Sequence, residues 1–173
     1  MLKKIAEIIR VNQAGEYGAK RIYEGQIAAL SKSDDTNSTN MIKHMYEQEL
    51  EHLEYFNQEL VKKRVRPTIM SPLWGISGYM LGYLSGKLGS KAAMACTAAV
   101  EEVIEHHYDE QLNYLETYTQ EQHLRKKIEK FKNDEVDHKM IGLAGSSEEP
   151  HYQLLKTVVR SLTRIAIGIS KKI

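Results

Sequence analysis

The strongest constraint on this chain is a short pattern that occurs twice. Glu49-Leu50-Glu51-His52 and Glu135-Val136-Asp137-His138 both read Glu-x-x-His, and they stand 86 residues apart. Each lies in a stretch with helical periodicity, where residues three apart share a face, one above the other. Each motif therefore aims a carboxylate and an imidazole at the same point. One such motif is weak evidence, because a solvated helix face produces it by chance. Two of them, each preceded by a helix with its own candidate Glu, restrict the fold sharply.

Glu16 precedes Glu49 by 33 residues and Glu101 precedes Glu135 by 34. The repeated unit is a helix with Glu, a connection, then a helix with Glu-x-x-His. Tyr23 follows Glu16 by seven residues, and Tyr108 follows Glu101 by seven. Seven residues is two helical turns, so each Tyr shares the face of its Glu. In helical bundles a dinuclear carboxylate site takes a Glu from each of two helices and a Glu-x-x-His from each of the other two. Glu16, Glu49, His52, Glu101, Glu135 and His138 supply that set. Glu101 is favoured over Glu102 because it follows Glu16 by 85 residues, in step with the motif spacing. Glu102 and Glu105 are then outer or solvated positions.

Charge selects between a metal cluster and none. Four carboxylates converging in a core without compensation suffer mutual repulsion and desolvation. Two divalent cations bring the cluster close to neutral, and two imidazoles complete it. Oxygen-rich ligation with a few nitrogens suits iron or manganese better than zinc. The His-Glu-x-x-His pattern of zinc proteases is absent, since Gln48 and Asp134 precede the two Glu. Asp134 is a candidate to orient a ligating His through its other ring nitrogen. Tyr23, His107 and Tyr108 read as packing residues or site-lining candidates, and His44, His123 and His151 as exposed.

The rest of the chain reads as helices. One covers residues 2–30, interrupted by Gly15 and Gly18 on either side of Glu16. Each Gly costs a helix roughly 1 kcal/mol relative to Ala, which points to close packing or a bound group there. A polar loop over 33–40 ends in N-cap residues Thr39 and Asn40. Helices follow over 40–64, 90–118, 120–143 and 151–171. No strand alternation is visible. The class is all-α: a ferritin-like four-helix bundle with additional membrane-facing helices, built as one domain over 1–173.

From Pro67 to Val100 only Lys87 and Lys91 are charged, and the first 20 residues carry no charge at all. That length would suit a membrane span, but two Pro and four Gly argue against one. The 67–90 segment reads as an apolar helical hairpin that lies on a membrane or lines a greasy pocket. Gly78, Gly82 and Gly86 form a row that permits close helix approach. The 151–171 helix is amphipathic, with a basic stripe of Lys156, Arg160 and Arg164 opposite its apolar side, suited to a membrane surface. Cys96 is the single cysteine and a net charge of +1 argues against nucleic-acid binding. No secretory signal is visible at the N-terminus.

Four segments carry a resemblance. RVNQAGEYGAKRIYEGQ at 10–26, EQELEHLEYFN at 47–57, ACTAAVEEVIEHHYDEQ at 95–111 and FKNDEVDHKMIGLA at 131–144 resemble the demethoxyubiquinone hydroxylase family of ubiquinone biosynthesis. The resemblance implies a membrane-associated di-iron monooxygenase that hydroxylates the ring of a polyprenyl quinone or quinol. It places the iron ligands on Glu16, Glu49, His52, Glu101, Glu135 and His138, and His106-His107-Tyr108 near the reductant's site of action. It implies two iron ions per chain, O2 as co-substrate, and NADH or another reductant for the two electrons that monooxygenation consumes. No Gly-rich dinucleotide fingerprint accompanies it. The expected location is peripheral, on the cytoplasmic face of the cell inner membrane or on the mitochondrial inner membrane of a eukaryote. A homo-oligomer or a complex of ubiquinone-biosynthesis proteins is left open. Two other classes remain: a ferritin or rubrerythrin-like protein on the same ligands, and a non-enzymatic helical membrane adaptor.

Overall fold

The computed structural model describes residues 2–147 and 150–172, and every regular element among them is a helix. They are α1 (Leu2–Leu30), α2 (Thr36–Lys62), α3 (Ser71–Lys87), α4 (Ser90–Tyr118), α5 (Gln122–Gly145) and α6 (Pro150–Ser170). α2 starts four residues earlier than position 40, because Asp35 takes the capping role and accepts from the Ser38 N–H at 3.0 Å. Aspartate is among the strongest N-cap residues, and it captures the loop before Thr39 can. The 67–90 segment is one helix and not a hairpin. Pro72 opens α3, and Gly89, at φ +108°, turns the chain directly into α4.

α1, α2, α4 and α5 form the four-helix bundle. α1 pairs antiparallel with α4 through Asn12 with Gln111 and Tyr23 with Glu101. α2 pairs antiparallel with α5 through His52 with Glu135 and Lys63 with Glu121. α2 and α4 therefore run in the same direction, and α3 is the return between them. Apolar side chains fill both ends of the bundle. One cluster holds Ile8, Ile9, Phe56, Leu115, Ile128 and Phe131, and the other holds Leu30, Ile42, Met45, Ala93 and Met94.

α3 and α6 cover the outside of the α1–α4 pair. The glycine row docks α3 against α1 within the protein: a Cβ at Gly82 would land on the Ile22 carbonyl, and one at Gly78 would lie 2.9 Å from the Gly18 carbonyl. Trp74 Nε1 donates to Ser170 Oγ at 3.0 Å and ties α3 to the end of α6.

α6 is oriented differently from the sequence expectation. Lys156 is buried and Arg160 donates twice to Glu102 on α4, so most of the basic stripe faces protein. The outward face instead carries Leu154, Val158, Leu162 and Ile165, alongside exposed Leu73, Ile76, Met80 and Leu84 of α3. The carboxylate of Glu102 draws the stripe inward, an attraction invisible within α6 alone. No helix among the described residues is long and apolar enough to cross a membrane.

Candidate metal centre

The six candidate ligands converge midway along the bundle, between its two apolar clusters. They form two overlapping groups, each with one ligand atom per residue and all those atoms within 4.8 Å of one another. Glu16, Glu49, His52 and Glu135 make the first group; Glu49, Glu101, Glu135 and His138 make the second. Glu49 and Glu135 belong to both, so they lie between two positions. Glu16 with His52 closes one end, and Glu101 with His138 closes the other. All six are buried, none above 3% exposed.

Both imidazoles point Nδ1 inward. His52 Nδ1 lies 3.1 Å from Glu135 Oε1 and 3.7 Å from Glu16 Oε2. His138 Nδ1 lies 2.9 Å from Glu135 Oε2 and 3.3 Å from Glu49 Oε1. Both Nε2 atoms point outward to an acceptor. His52 Nε2 meets Asp134 Oδ2 and His138 Nε2 meets Gln48 Oε1, each at 3.1 Å. With the proton held on Nε2, Nδ1 keeps its lone pair for a cation. Each acceptor is the residue immediately before the Glu of the opposite motif. Gln48 was not picked out from the sequence; its signal was its position, the counterpart of Asp134.

The tyrosines cross over in the same way. Tyr23 donates to Glu101 Oε1 at 2.9 Å, and Tyr108 donates to Glu16 Oε1. Each therefore holds the carboxylate of the other half, although heptad spacing puts it on the face of its own.

Whether these residues suit divalent cations is decided by Glu49. Both of its carboxylate oxygens are buried without a hydrogen-bond partner. Leaving such atoms unmatched is costly, and cations would supply the missing partners. The protonation pattern agrees. Burial, then the charges of Glu135 and Glu16, push Glu49 well above the usual carboxylate range. Burial and then Glu135 do the same to Glu101. Burial also pushes Glu135 upward, but the bonds from His138 and His52 outweigh it and hold that carboxyl at about 2. Burial opposes a charge on His52, yet Glu135 and Glu16 carry it up to about 12; burial opposes a charge on His138 too, and Glu135 raises it above its ordinary value. Protons thus take the places that cations would otherwise fill. The donor set, four carboxylates and two imidazoles, fits iron or manganese.

A family model described as "Ubiquinone biosynthesis protein COQ7" matches residues 3–170. The chain belongs to the COQ7 family. A Dictyostelium discoideum relative named "NADPH-dependent 3-demethoxyubiquinone 3-hydroxylase, mitochondrial" is 44% identical over 98% of this chain and 77% of its own length. A Homo sapiens relative of the same name is 43% identical over 98% of this chain and 78% of its own. A Rhodospirillum rubrum relative named "3-demethoxyubiquinol 3-hydroxylase" is 38% identical, with 98% and 78% covered.

Beside the centre of this COQ7-family chain is an apolar cavity of about 240 Å³, walled by α1, α3, α4 and α6. Gly15 and Val100 in its wall are the chain neighbours of Glu16 and Glu101. A Cβ added at Gly15 would only touch Ile104, at 4.0 Å, and one at Gly18 would meet open space, although the Gly18 carbonyl itself packs against Gly78. The role of Gly15 and Gly18 is to leave room. Leu162 and Ile165 line the cavity and are exposed, so it reaches the surface between α3 and α6.

The other candidates lie outside the ligand cluster. Glu102 pairs with Arg160, and Glu105 with Lys139. His106 is exposed. His107 is buried, but its Nε2 faces the Gln111 amide at 2.7 Å and no ligand. Burial, with Lys171 and Lys4 nearby, lowers His107 to about 4. Gln111 in turn exchanges two hydrogen bonds with Asn12.

Proposed function

We propose that this chain is an O2-dependent monooxygenase that hydroxylates the ring of a polyprenyl demethoxyubiquinone or demethoxyubiquinol; its relatives' names print a 3-hydroxylase of 3-demethoxyubiquinone or 3-demethoxyubiquinol. The observation that carries this reading is a buried dinuclear carboxylate cluster with an orphaned Glu49, placed beside an apolar cavity that reaches the surface.

Glu16, Glu49, His52 and Glu135 would hold one iron ion, and Glu49, Glu101, Glu135 and His138 the other. That pair would supply O2 activation, one oxygen atom going to the ring and the other leaving as water. The chain's own residues do the rest. Asp134 and Gln48 hold the imidazoles in one tautomer. Tyr23 and Tyr108 fix the terminal carboxylates. The cavity wall of Val11, Ala14, Ile22, Val100, Ile104 and Leu81 keeps the reacting ring from bulk water. A reduced nicotinamide nucleotide supplies the two electrons; the names of two relatives print NADPH, where the resemblance implied NADH.

The substrate tail gives the outward faces of α3 and α6 a purpose. Exposing an isoprenoid to water costs roughly 0.8 kcal/mol per CH2, so the enzyme must meet its substrate at the bilayer. Ile76, Met80, Leu84, Leu154, Val158 and Leu162 are exposed around the cavity's side of the molecule. They suit shallow insertion in the interface, which makes the protein peripheral on an inner membrane. Apolar insertion, more than a basic stripe, then supplies the attachment.

The reading is tested with the iron-loaded protein, a reductant and demethoxyubiquinol in vesicles under 18O2. One labelled oxygen in the product is expected. Product labelled only from water, or iron oxidation with no product, contradicts it.

A further inference from the structure

The two halves of the centre match in their ligand types and in their tyrosines, and the acceptors behind their two imidazoles differ in charge. His52 Nε2 is held by the Asp134 carboxylate, and His138 Nε2 by the Gln48 amide, both at 3.1 Å. An anionic acceptor pulls the Nε2 proton toward itself and makes the opposite nitrogen a stronger donor than a neutral amide does.

The surroundings leave that difference in place. Lys130 is the cation nearest Asp134, at 3.7 Å, but its ammonium sits closer to Glu51, at 2.7 Å. Asp134 is nearer to His52 than to Lys130, so its charge is directed at the imidazole. Around the inner atoms the donors to the two terminal carboxylates are alike, while His52 also packs against the uncharged ring of Phe131, with centroids 4.1 Å apart. Tyr108 donates to Glu16 as Tyr23 donates to Glu101, and Glu49 and Glu135 are shared by both groups.

We propose that Asp134 and Gln48 are positioning residues that make the two metal sites unequal, with the Glu16/His52 site the tighter and first to fill. This rests on the dinuclear reading above. The charge of the outer acceptor sets the order, and exchanging that charge between the two positions reverses it. The halves of an internally repeated scaffold thereby acquire separate properties through one atom type at each position, oxygen of a carboxylate or oxygen of an amide.

The test is titration of the metal-free protein with Co2+, followed by visible absorption, together with Mössbauer spectra after anaerobic loading with 57Fe2+. The wild-type protein should fill in two steps, with two iron doublets. Removing a residue that holds a metal-bound His typically costs 10–100-fold in affinity. Asp134→Asn keeps the shape and removes the charge; it should weaken the first step by about that 10–100-fold, leave the second unchanged and move one doublet. Gln48→Glu adds the charge to the other half; it should tighten the second step and move the other doublet. The steps close up in both variants, from opposite directions. Circular dichroism establishes that each variant is folded, and the wild-type titration stands without them. Two equal steps in the wild type, or a shift of both doublets by either variant, overturns the inequality. Binding of fewer than two ions overturns the dinuclear reading itself.

Discussion

Tyr23 on α1 donates its hydroxyl hydrogen to Glu101 on α4, 78 residues away, at 2.9 Å. Tyr108 on α4 returns the arrangement by donating to Glu16 on α1. Two antiparallel helices thus exchange one tyrosine–carboxylate bond in each direction, and each tyrosine supports the candidate ligand that the other helix presents. Tyr23→Phe removes the donor and leaves a buried carboxylate oxygen short of a partner. The expected cost is about 1–3 kcal/mol of stability in the metal-free protein, with weaker metal binding at the Glu101/His138 end. Thermal unfolding and a metal titration of the variant check both.

Glu49→Gln should separate stability from metal binding. The Glu49 carboxyl is pushed upward by burial and by Glu135 and Glu16, so the metal-free fold already favours a neutral group there. A neutral amide therefore leaves the metal-free melting temperature unchanged or higher. Stabilisation by added Fe2+ or Mn2+ should disappear, because binding to the native state is what raises the melting temperature. Differential scanning calorimetry with and without the ion reads both effects.

The metal-free protein should lose stability as pH rises. His52 is raised to about 12 in the fold, so its contribution is complete below its ordinary value near 6.5 and is lost progressively between there and 12. Raised Glu49 and Glu101 act in the same direction, since the fold binds protons that the unfolded chain releases. Glu135, held at about 2, acts oppositely, and its contribution is lost only as pH falls below the usual carboxylate range. Melting temperatures of the metal-free protein should fall between pH 7 and 9, and metal affinity should rise over the same interval as competing protons leave. A flat or rising profile without metal contradicts the protonated cluster.

Two glycines of the cavity side should respond with opposite signs. Gly82→Ala places a methyl on the Ile22 carbonyl and forces α3 away from α1; overpacking of this kind costs about 1–3 kcal/mol. Gly18→Ala enters open space and should stabilise the helix by about 0.5–1 kcal/mol. It also narrows the cavity, so turnover with the natural substrate should drop while the melting temperature rises. Paired melting and activity measurements distinguish the two.

The bundle and the convergence of the six candidate ligands were legible because both follow from spacing along single helices. Intervals of three and seven fix a shared face, and 85 and 86 residues bring two such units into register. What was hidden depends on pairing between helices. That Tyr23 reaches Glu101, and that Gln48 reaches His138, follows from the antiparallel registers of α1 with α4 and α2 with α5, which no interval within one helix specifies. The orientation of α6 was hidden for the same reason. Its basic stripe reads from the sequence as a membrane-facing surface, and the Glu102 carboxylate that turns Arg160 inward lies on another helix. The glycine row of α3 was visible as a docking surface, but its partner was identified only by the close approach to Ile22 and Gly18 on α1.

Glu49 and Glu135 are the carboxylates shared by the two candidate metal positions. Elemental analysis of wild-type protein and Glu49→Gln, loaded side by side with Fe2+ under argon and desalted, tests the dinuclear reading most directly. Wild type should retain two iron ions per chain and the variant fewer than one. Equal iron in both proteins, or wild-type iron well below two per chain, would contradict it.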